Sequence, residues 1–254
     1  DKYYHPNNSL LVIAGDVKHD EAFAMARRIY GDWKHSGFDP HQKYPIPDFP
    51  PIKSSETYIK ESPLAQTPYV FFNWQGPGFS FDSAGTIYAD VLSQLLKLNS
   101  SKWQQALIDK GLASSADLSY QTLKHTGSVD IFAVPTPDKM KQFYTAIQDQ
   151  LRQMSRDEYF TDDQLKTAKE IIRRNQIRQR EKPSELSKNV TYNWCSTSYE
   201  YLTDYEKNCM NVTRDDIKKF INRYINGKPF IAGMIINPEM NKSLNPTSFF
   251  KPFN

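Results

Sequence analysis

The sequence lacks most of the features by which function is commonly recognised. It has two cysteines and five histidines in 254 residues, and its formal net charge is only +3. No apolar run approaches the roughly 18 residues that a membrane span needs, and no basic stretch followed by an apolar segment marks a leader. The nearly balanced charge provides no strong field for nucleic acid or an anionic membrane. We therefore expect neither a nucleic-acid partner nor a membrane span in this segment.

The common catalytic and cofactor-binding motifs are also missing. The sequence contains no P-loop, no Gly-x-Gly-x-x-Gly turn and no Gly-x-Ser-x-Gly elbow. Gln75-Gly76-Pro77-Gly78 reads as a turn, and Pro77 removes an amide that a phosphate would need. No two histidines stand at a helical metal-binding spacing with a carboxylate between them; they are His5, His19, His35, His41 and His125. The sequence predicts no catalytic and no metal-binding residue here, and it leaves substrate-binding residues unknown.

Two further features have a structural and a functional interpretation each. Cys195 and Cys209 could form one disulfide in an oxidising compartment or could be two unpaired core thiols. The helical segment Lys166 to Lys182 is rich in Lys and Arg, which favours a solvated helix face over a nucleic-acid stripe because interleaved aromatic residues are absent. Neither feature fixes a function.

The residues that are present predict a globular α/β chain. Hydrophobic residues make up 39% and aromatic residues 13%. The apolar run Leu10–Ala14 predicts a strand buried on both faces, and Asp20 then opens a helix that ends near Gly31-Asp32-Trp33. Alternating or apolar runs predict further strands at 56–61, 68–74, 113–121, 128–134 and 229–237.

Helical spacing of apolar residues dominates the rest of the chain. It predicts helices over 81–98, 101–110 and 140–154, then three in succession from Thr161 with punctuation at Pro183-Ser184 and Thr203-Asp204, the last of the three starting at Thr213. The capping-box pattern at Thr161 supports the start of that series. We predict an α+β fold with a mixed, largely antiparallel sheet covered by helices and a helix-rich C-terminal third. Residues 1–254 are expected to form a single subdomain with a proline-rich connector over 36–55 and a loosely structured tail over 239–254.

The order of these elements and several local motifs resemble a known peptidase family. The stretch from Tyr3-Tyr4 through Pro6-Asn7-Asn8 to Leu11-Val12-Ile13-Ala14-Gly15-Asp16, followed by a helix and Tyr30-Gly31-Asp32, resembles the start of the second subdomain in pitrilysin/insulinase-like (M16) zinc peptidases. Weaker matches extend to about Pro238: Ser101 to Ala113, Phe160 to Lys169, and Val212 to Ile217. Lys102, Trp103 and Ser114 depart from the family pattern.

The resemblance implies an architecture and a division of labour. Family members consist of halves that close around a peptide, each half having two similar α/β subdomains, and the second subdomain is non-catalytic. The zinc ligands belong to a His-x-x-Glu-His helix and a later Glu of the first subdomain, none of which can be placed on this sequence. An Arg and Tyr pair that some members use has Val129 and Thr136 at the matching positions here.

The resemblance therefore implies that the chain is a fragment of a zinc-dependent metalloendopeptidase. It would begin at a subdomain border, support the catalytic subdomain and wall the substrate chamber, with zinc held outside this chain. Its implied partners are a peptide substrate, the catalytic M16 subdomain and a second M16 half in cis or in trans. The alternative is a catalytically inactive M16-like binding or assembly subunit. Bacterial members make a periplasmic or otherwise extracytoplasmic location plausible, and the sequence leaves the location open.

Overall fold

The computed structural model describes residues 2–253, which divide into two compact units. The first unit comprises residues 2–49 and 175–204, and the second comprises residues 50–174 and 205–253. The strands are β1 (Glu56–Glu61), β2 (Tyr69–Gly76), β3 (Ala113–Tyr120), β4 (Gly127–Pro135) and β5 (Phe230–Ile236). The helices are α1 (His19–Tyr30), α2 (Pro40–Lys43), α3 (Phe79–Leu96), α4 (Lys102–Leu107), α5 (Met140–Gln153), α6 (Asp162–Arg180), α7 (Pro183–Ser196), α8 (Tyr199–Asn211), α9 (Arg214–Tyr224) and α10 (Pro238–Leu244).

The five strands form one mixed sheet in the second unit. Their spatial order is β1-β5-β2-β4-β3, so the last strand of the chain lies between the first two. Only β1 and β5 run parallel, and the other three pairs are antiparallel. The predicted α+β class with a largely antiparallel sheet and a helix-rich C-terminal third is therefore confirmed.

The core of the second unit lies between one face of this sheet and the helices. Phe72 is fully buried and its ring stacks on Tyr144 of α5, at 6.2 Å between ring centroids. Trp103 of α4, which departs from the family pattern, is also fully buried, and its indole N–H donates to the Ala116 carbonyl at 2.7 Å. Each such aromatic side chain contributes about 2–3 kcal/mol of transfer free energy on burial. The strands need this cover because their inward positions are almost all apolar.

The predicted buried strand over Leu10–Ala14 is wrong. These residues have no strand partner among residues 2–253, and all of them except the half-buried Val12 are exposed. The predicted helix after Asp20 is present as α1, yet none of its residues is fully buried. The run has the composition of a core strand, but strand formation requires a neighbouring strand, and none lies beside these residues within 2–253.

The predicted helical series after residue 160 is present, but it comprises four helices, α6 to α9, rather than three, and one of its breaks was misplaced. Thr161 and Gln164 form reciprocal caps at the start of α6, and Thr213 and Asp216 form a full capping box at the start of α9. The break predicted at Thr203-Asp204 is instead inside α8, because the chain already turns at residues 197–198.

The tail is more ordered than its sequence suggested. The loose structure expected over 239–254 is wrong for the described residues, because α10 and a 3-10 turn at Pro246–Ser248 occupy most of it. Phe250 is 3% exposed, and both it and Phe253 contact the buried ring of Phe72. These aromatic side chains attach the tail to the core, and the hydrophobic periodicity of the sequence does not predict this packing.

The proposed subdomain boundaries remain a prediction. The connector over 36–55 contains the short helix α2, and the first of the three points at which the described chain passes between the two compact units falls within it. Searching residues 2–253 finds no helix that is both long enough and apolar enough to cross a membrane.

Candidate functional site: the open face of the sheet

The two faces of the sheet differ sharply in burial. One face carries Val70, Phe72 and Trp74 of β2 and the matching residues of its neighbours, and these side chains are at most 2% exposed. The opposite face, which we call the open face, consists of exposed and half-buried residues. Its members are Glu56, Tyr58, Lys60, Tyr69, Phe71, Asn73, Gln75, Asp117, Ser119, Ser128, Asp130, Phe132, Ile231, Gly233 and Ile235. The open face is a candidate binding surface of the second unit.

Strand register aligns five of these residues in a single line across all five strands. Tyr58 pairs with Gly233, Gly233 with Phe71, Phe71 with Phe132, and Phe132 with Asp117. We call this line the central row. Since directly paired residues point to the same face, the row is a continuous strip of the open face.

Aromatic rings form the middle of the central row. Phe132 packs against Phe71 with ring centroids 5.1 Å apart and stacks on Tyr69 at 5.9 Å. Such pairs stabilise a sheet by about 0.5–1.5 kcal/mol beyond area burial. Phe132 nevertheless stays 37% exposed and Tyr58 stays 57% exposed. The rings therefore leave apolar area available for contact with another molecule.

Gly233 creates a gap in the row between these rings. A Cβ atom placed on Gly233 would meet only the Phe71 ring, at 4.0 Å. The flanking residues of β5 on the same face, Ile231 and Ile235, are half-buried and apolar. A glycine inside a strand often marks a place where another backbone or a ligand approaches closely. The gap is an apolar notch one side chain wide.

A polar row lies beside the central row. Asn73 donates a side-chain hydrogen bond to Asp130, and the Ser128 hydroxyl donates to the second carboxylate oxygen of Asp130 at 2.6 Å. The Tyr58 hydroxyl donates to Glu56, and this hydrogen bond raises the pKa of Tyr58. The polar side chains are thus held in place by one another.

The charge on the open face is negative. Three carboxylates stand on it, those of Glu56, Asp117 and Asp130, against the single ammonium of Lys60. Asp117 is half-buried on the edge strand β3, and no side chain within 2–253 forms an ion pair with it. An incoming cation would meet at least one carboxylate whose charge is not already compensated.

The first unit carries a different exposed surface, which we call the apolar groove. It is an open depression of about 540 Å³ between the extended run at residues 11–17 and α1. Ile13, Met25 and Ile29 are each at least 50% exposed along it. An exposed apolar patch of this kind marks an interaction surface in soluble proteins.

The histidines and acids do not assemble into a metal site. Within residues 2–253, no group of three or more His, Cys, Asp or Glu side chains is placed to hold an ion. His41 contacts Asn8 and His35 accepts from the Gly37 amide, so both serve local turns. The resemblance implies a zinc centre outside this chain, and the described residues contain no cluster of ligands that would hold a second one.

The positions that match the Arg and Tyr pair of some family members are also unsuited to chemistry. Val129 is fully buried on the helix-covered face of β4. Thr136 follows β4 and donates its hydroxyl to the Gly111 carbonyl at 2.9 Å. Val129 is therefore covered by the helices, and the Thr136 hydroxyl is engaged with the backbone.

The two cysteines are free in the structure. Cys209 is buried, as expected of a core thiol, whereas Cys195 is exposed. Desolvation raises the pKa of the Cys209 thiol to about 12, which keeps it protonated and unreactive.

The basic helix α6 has its charges on the solvent side. Arg173 forms ion pairs with Glu170 and Glu206, and Lys169 donates to the Met210 carbonyl. Lys166, Arg174, Arg178 and Arg180 are exposed. The solvated-face interpretation remains a prediction that agrees with this arrangement.

Sequence reasoning missed the open face as a site. Tyr69-Val70-Phe71-Phe72 is apolar at four successive positions, so periodicity does not say which two side chains are covered. Gly233 stands inside an apolar run and gives no local sign that it forms a notch. The alternation in β4, with Asp130 and Phe132 between buried residues, was the available indication.

Comparison with known proteins places these features in a family. The family model described as Peptidase M16 inactive domain matches residues 1–172. The chain is 23% identical over 229 residues to zinc protease PqqE of Helicobacter pylori, covering 87% of this chain and 50% of that protein. It is 25% identical over 237 residues to an uncharacterized zinc protease of Rickettsia felis, covering 88% and 52% respectively. The chain thus spans about half the length of these curated relatives.

A solved structure gives the same result for the fold. A protease from Helicobacter pylori superposes with a TM-score of 0.80 at 21% identity, over 92% of this chain and 57% of that one. The match to the inactive-domain model covers more than half of the sequence and agrees with the M16 resemblance. The chain belongs to the M16 peptidase inactive-domain family.

Proposed function

We propose that this chain is the non-catalytic subdomain of a zinc-dependent metalloendopeptidase and that its open face forms part of the wall of the substrate chamber. The single observation that supports this role is the uncovered face itself, with Phe132 and Tyr58 exposed in a row of paired residues. The match to the inactive-domain family model agrees with it. Zinc and the catalytic groups would lie in the part of the protein that this chain does not cover.

The decisive experiment uses the full-length protein and compares two phenylalanine variants. Phe132→Ala removes an open-face ring, whereas Phe81→Ala removes a ring that is 57% exposed at the start of α3. We expect the full-length protein to bind zinc and cleave a fluorogenic peptide mixture. Phe132→Ala should lower kcat/KM about fivefold or more with unchanged zinc content, as for a partly buried contact residue, and Phe81→Ala should not.

Two outcomes would contradict the proposal. Equal activity of both variants would show that the open face does not contact the substrate. A full-length protein that binds no zinc, cleaves no peptide and lacks His-x-x-Glu-His upstream would instead support the alternative, a catalytically inactive binding or assembly subunit.

The apolar groove of the first unit is proposed to dock on the catalytic subdomain. The curated relatives are about twice as long as this chain, and we propose that the corresponding remaining part of this protein contains the catalytic subdomain that covers the groove. Met25→Asp tests this, because Met25 is 54% exposed here. In the 254-residue chain the substitution should change the free energy of unfolding by less than about 0.5 kcal/mol.

In the full-length protein the same substitution should cost about 2–4 kcal/mol, because a carboxylate would be buried without a partner. Leu64→Asp, at a residue 88% exposed in the second unit, is the control and should be tolerated in both proteins. Equal tolerance of Met25→Asp in both would show that the groove stays open. Urea denaturation provides the measurement.

A further inference from the structure

The central row offers chemically different contacts at two of its positions. Gly233, the second residue of the row after Tyr58, forms an apolar notch walled by the Phe71 ring and flanked by Ile231 and Ile235. Asp117, the last residue of the row, presents a carboxylate that no cation within residues 2–253 compensates. Phe132 lies between them and is 37% exposed. A molecule lying along the row would contact an apolar recess, an aromatic ring and a negative charge in that order.

The distance between the Gly233 notch and Asp117 suits an extended peptide. Gly233 on β5 and Asp117 on β3 are separated by three strand spacings, since β2 and β4 lie between them. Three spacings amount to about 14 Å. An extended chain advances about 3.3 Å per residue, so about four residues cover this distance. Side chains four positions apart point to the same side of an extended peptide, so one peptide can contact the Gly233 notch and Asp117 at the same time.

The charge on the open face determines which ligand side chain can pair with Asp117. The open face has three carboxylates and one ammonium, so it attracts cationic and repels anionic side chains. Asp130 accepts hydrogen bonds from Asn73 and Ser128, and Glu56 accepts one from Tyr58. Asp117 is the open-face carboxylate that accepts no side-chain hydrogen bond from residues 2–253, so both of its oxygens can pair with a ligand.

We propose that the central row binds extended peptides that carry a bulky apolar side chain, seated at Gly233, and an Arg or Lys about four residues away, paired with Asp117. This inference rests on the proposed function in taking the open face to meet peptide, and it adds a substrate class. It predicts a preference for cationic-apolar segments over anionic ones of equal length.

The test is a binding measurement with defined peptides on the 254-residue chain. The probes are three labelled nine-residue peptides on a Gly/Ser background, each with one Phe and, four positions later, Arg, Gln or Glu. Fluorescence anisotropy at low salt should rank their affinities Arg above Gln above Glu. Asp117→Asn should weaken binding of the Arg peptide about three- to fivefold, the size expected of a partly exposed ion pair, and leave the Gln peptide unchanged.

Two further variants separate the contacts from general effects on the fold. Asp109→Asn removes an exposed carboxylate outside the sheet and should behave as wild type. Gly233→Val fills the notch and should weaken all three peptides alike. Its Cβ meets only a 4.0 Å contact, so circular dichroism and the urea midpoint should not change. If Gly233→Val fails to fold, Asp117→Asn still tests the inference. Asp117 is half-buried on the edge strand β3, so we expect its substitution to leave the fold intact.

Equal affinity for the Arg and Glu peptides, or an Asp117→Asn effect no larger than that of Asp109→Asn, would overturn the inference. The full-length protein distinguishes this failure from failure of the proposed function. If it cleaves peptides but Asp117→Asn changes kcat/KM for Arg and Glu substrates equally, only the substrate class is wrong. If it neither binds zinc nor cleaves any peptide, the proposed function itself has failed.

Discussion

At the scale of single residues, the second unit contains a carboxyl group in an unfavourable environment. Asp90 of α3 lies in the packed side of the helix, and burial raises its pKa to about 6 despite the 2.7 Å hydrogen bond donated by Tyr205. Cys209 lies in the same environment and interacts electrostatically with Asp90. Folding therefore costs more when Asp90 is ionised than when it carries a proton.

This predicts a pH dependence that Asp90→Asn should remove. Between about pH 4 and pH 6 the folded state holds a proton on Asp90 that the unfolded state has released, so the free energy of unfolding falls as pH rises through this window. The pKa of Asp90 differs by about two between the folded and unfolded states, which corresponds to roughly 2–3 kcal/mol in the free energy of unfolding. Urea titrations at pH 4 and pH 7 should show this loss in wild type and not in Asp90→Asn.

Asp48→Asn, at an exposed residue, should retain the wild-type pH dependence. The interpretation fails if Asp90→Asn and wild type lose equal stability between the two pH values.

The cysteines give a second residue-scale prediction. Cys195 is exposed and Cys209 is buried with a pKa raised to about 12 by desolvation. A thiol reagent at pH 8 should modify one equivalent of cysteine rapidly in the native protein and the second only after denaturation. Peptide mapping should identify the fast site as Cys195. Rapid reaction of two equivalents, or none, would contradict the burial assigned to these residues.

At the scale of elements, the start of a helix could be predicted from the sequence where a local side chain caps it. The Thr213 hydroxyl accepts from the Asp216 amide at 3.2 Å, and the Asp216 carboxylate accepts from the Thr213 amide at 3.0 Å. Four residues of sequence contain this whole arrangement, so it was predictable. The start of α3 was not, because Asp82 interrupts the helix with φ −152° and ψ 68° and accepts from the distant Tyr224 hydroxyl at 2.6 Å.

The cap predicts a measurable cost. Thr213→Ala should lower the free energy of unfolding by about 1 kcal/mol, because the Asp216 amide loses its acceptor at the beginning of α9. Thr145→Ala, at an exposed position within α5, is the matched control and should stay within about 0.5 kcal/mol of wild type. Equal effects of the two substitutions in urea unfolding would show that the capping box contributes nothing specific.

At the scale of the whole molecule, sequence reasoning succeeded where local patterns decide and failed where a distant partner decides. The strands around Phe72 and Ile131 were predictable because each has a local apolar pattern bounded by turn residues. Leu10–Ala14 has an equally strong pattern but no strand beside it among the described residues. The open face was hidden for the same reason: which side of a strand is covered depends on elements far along the chain.

The topology predicts that β5 is required for a stable second unit. β5 joins β1 to β2, and the Phe230 ring packs on Trp74 at 5.4 Å between centroids. A chain ending at Gly227 should lose cooperative unfolding and near-ultraviolet dichroism, because β1 then has no partner. A synthetic peptide covering residues 228–253 should restore both when added in excess. Cooperative unfolding of the truncated chain at the wild-type urea midpoint would refute this prediction.

The position of β5 also has a consequence for synthesis on the ribosome. Once Pro135 has left the exit tunnel, β2, β4 and β3 can associate as an antiparallel meander, yet the flank of β2 that later receives β5 remains unpaired until residues after Phe230 are translated. Nearly a hundred residues, most of them helical, are made in the interval. A nascent chain with an unpaired strand edge is open to association with its neighbours, so we expect its yield in cells to depend on chaperones that shield such edges.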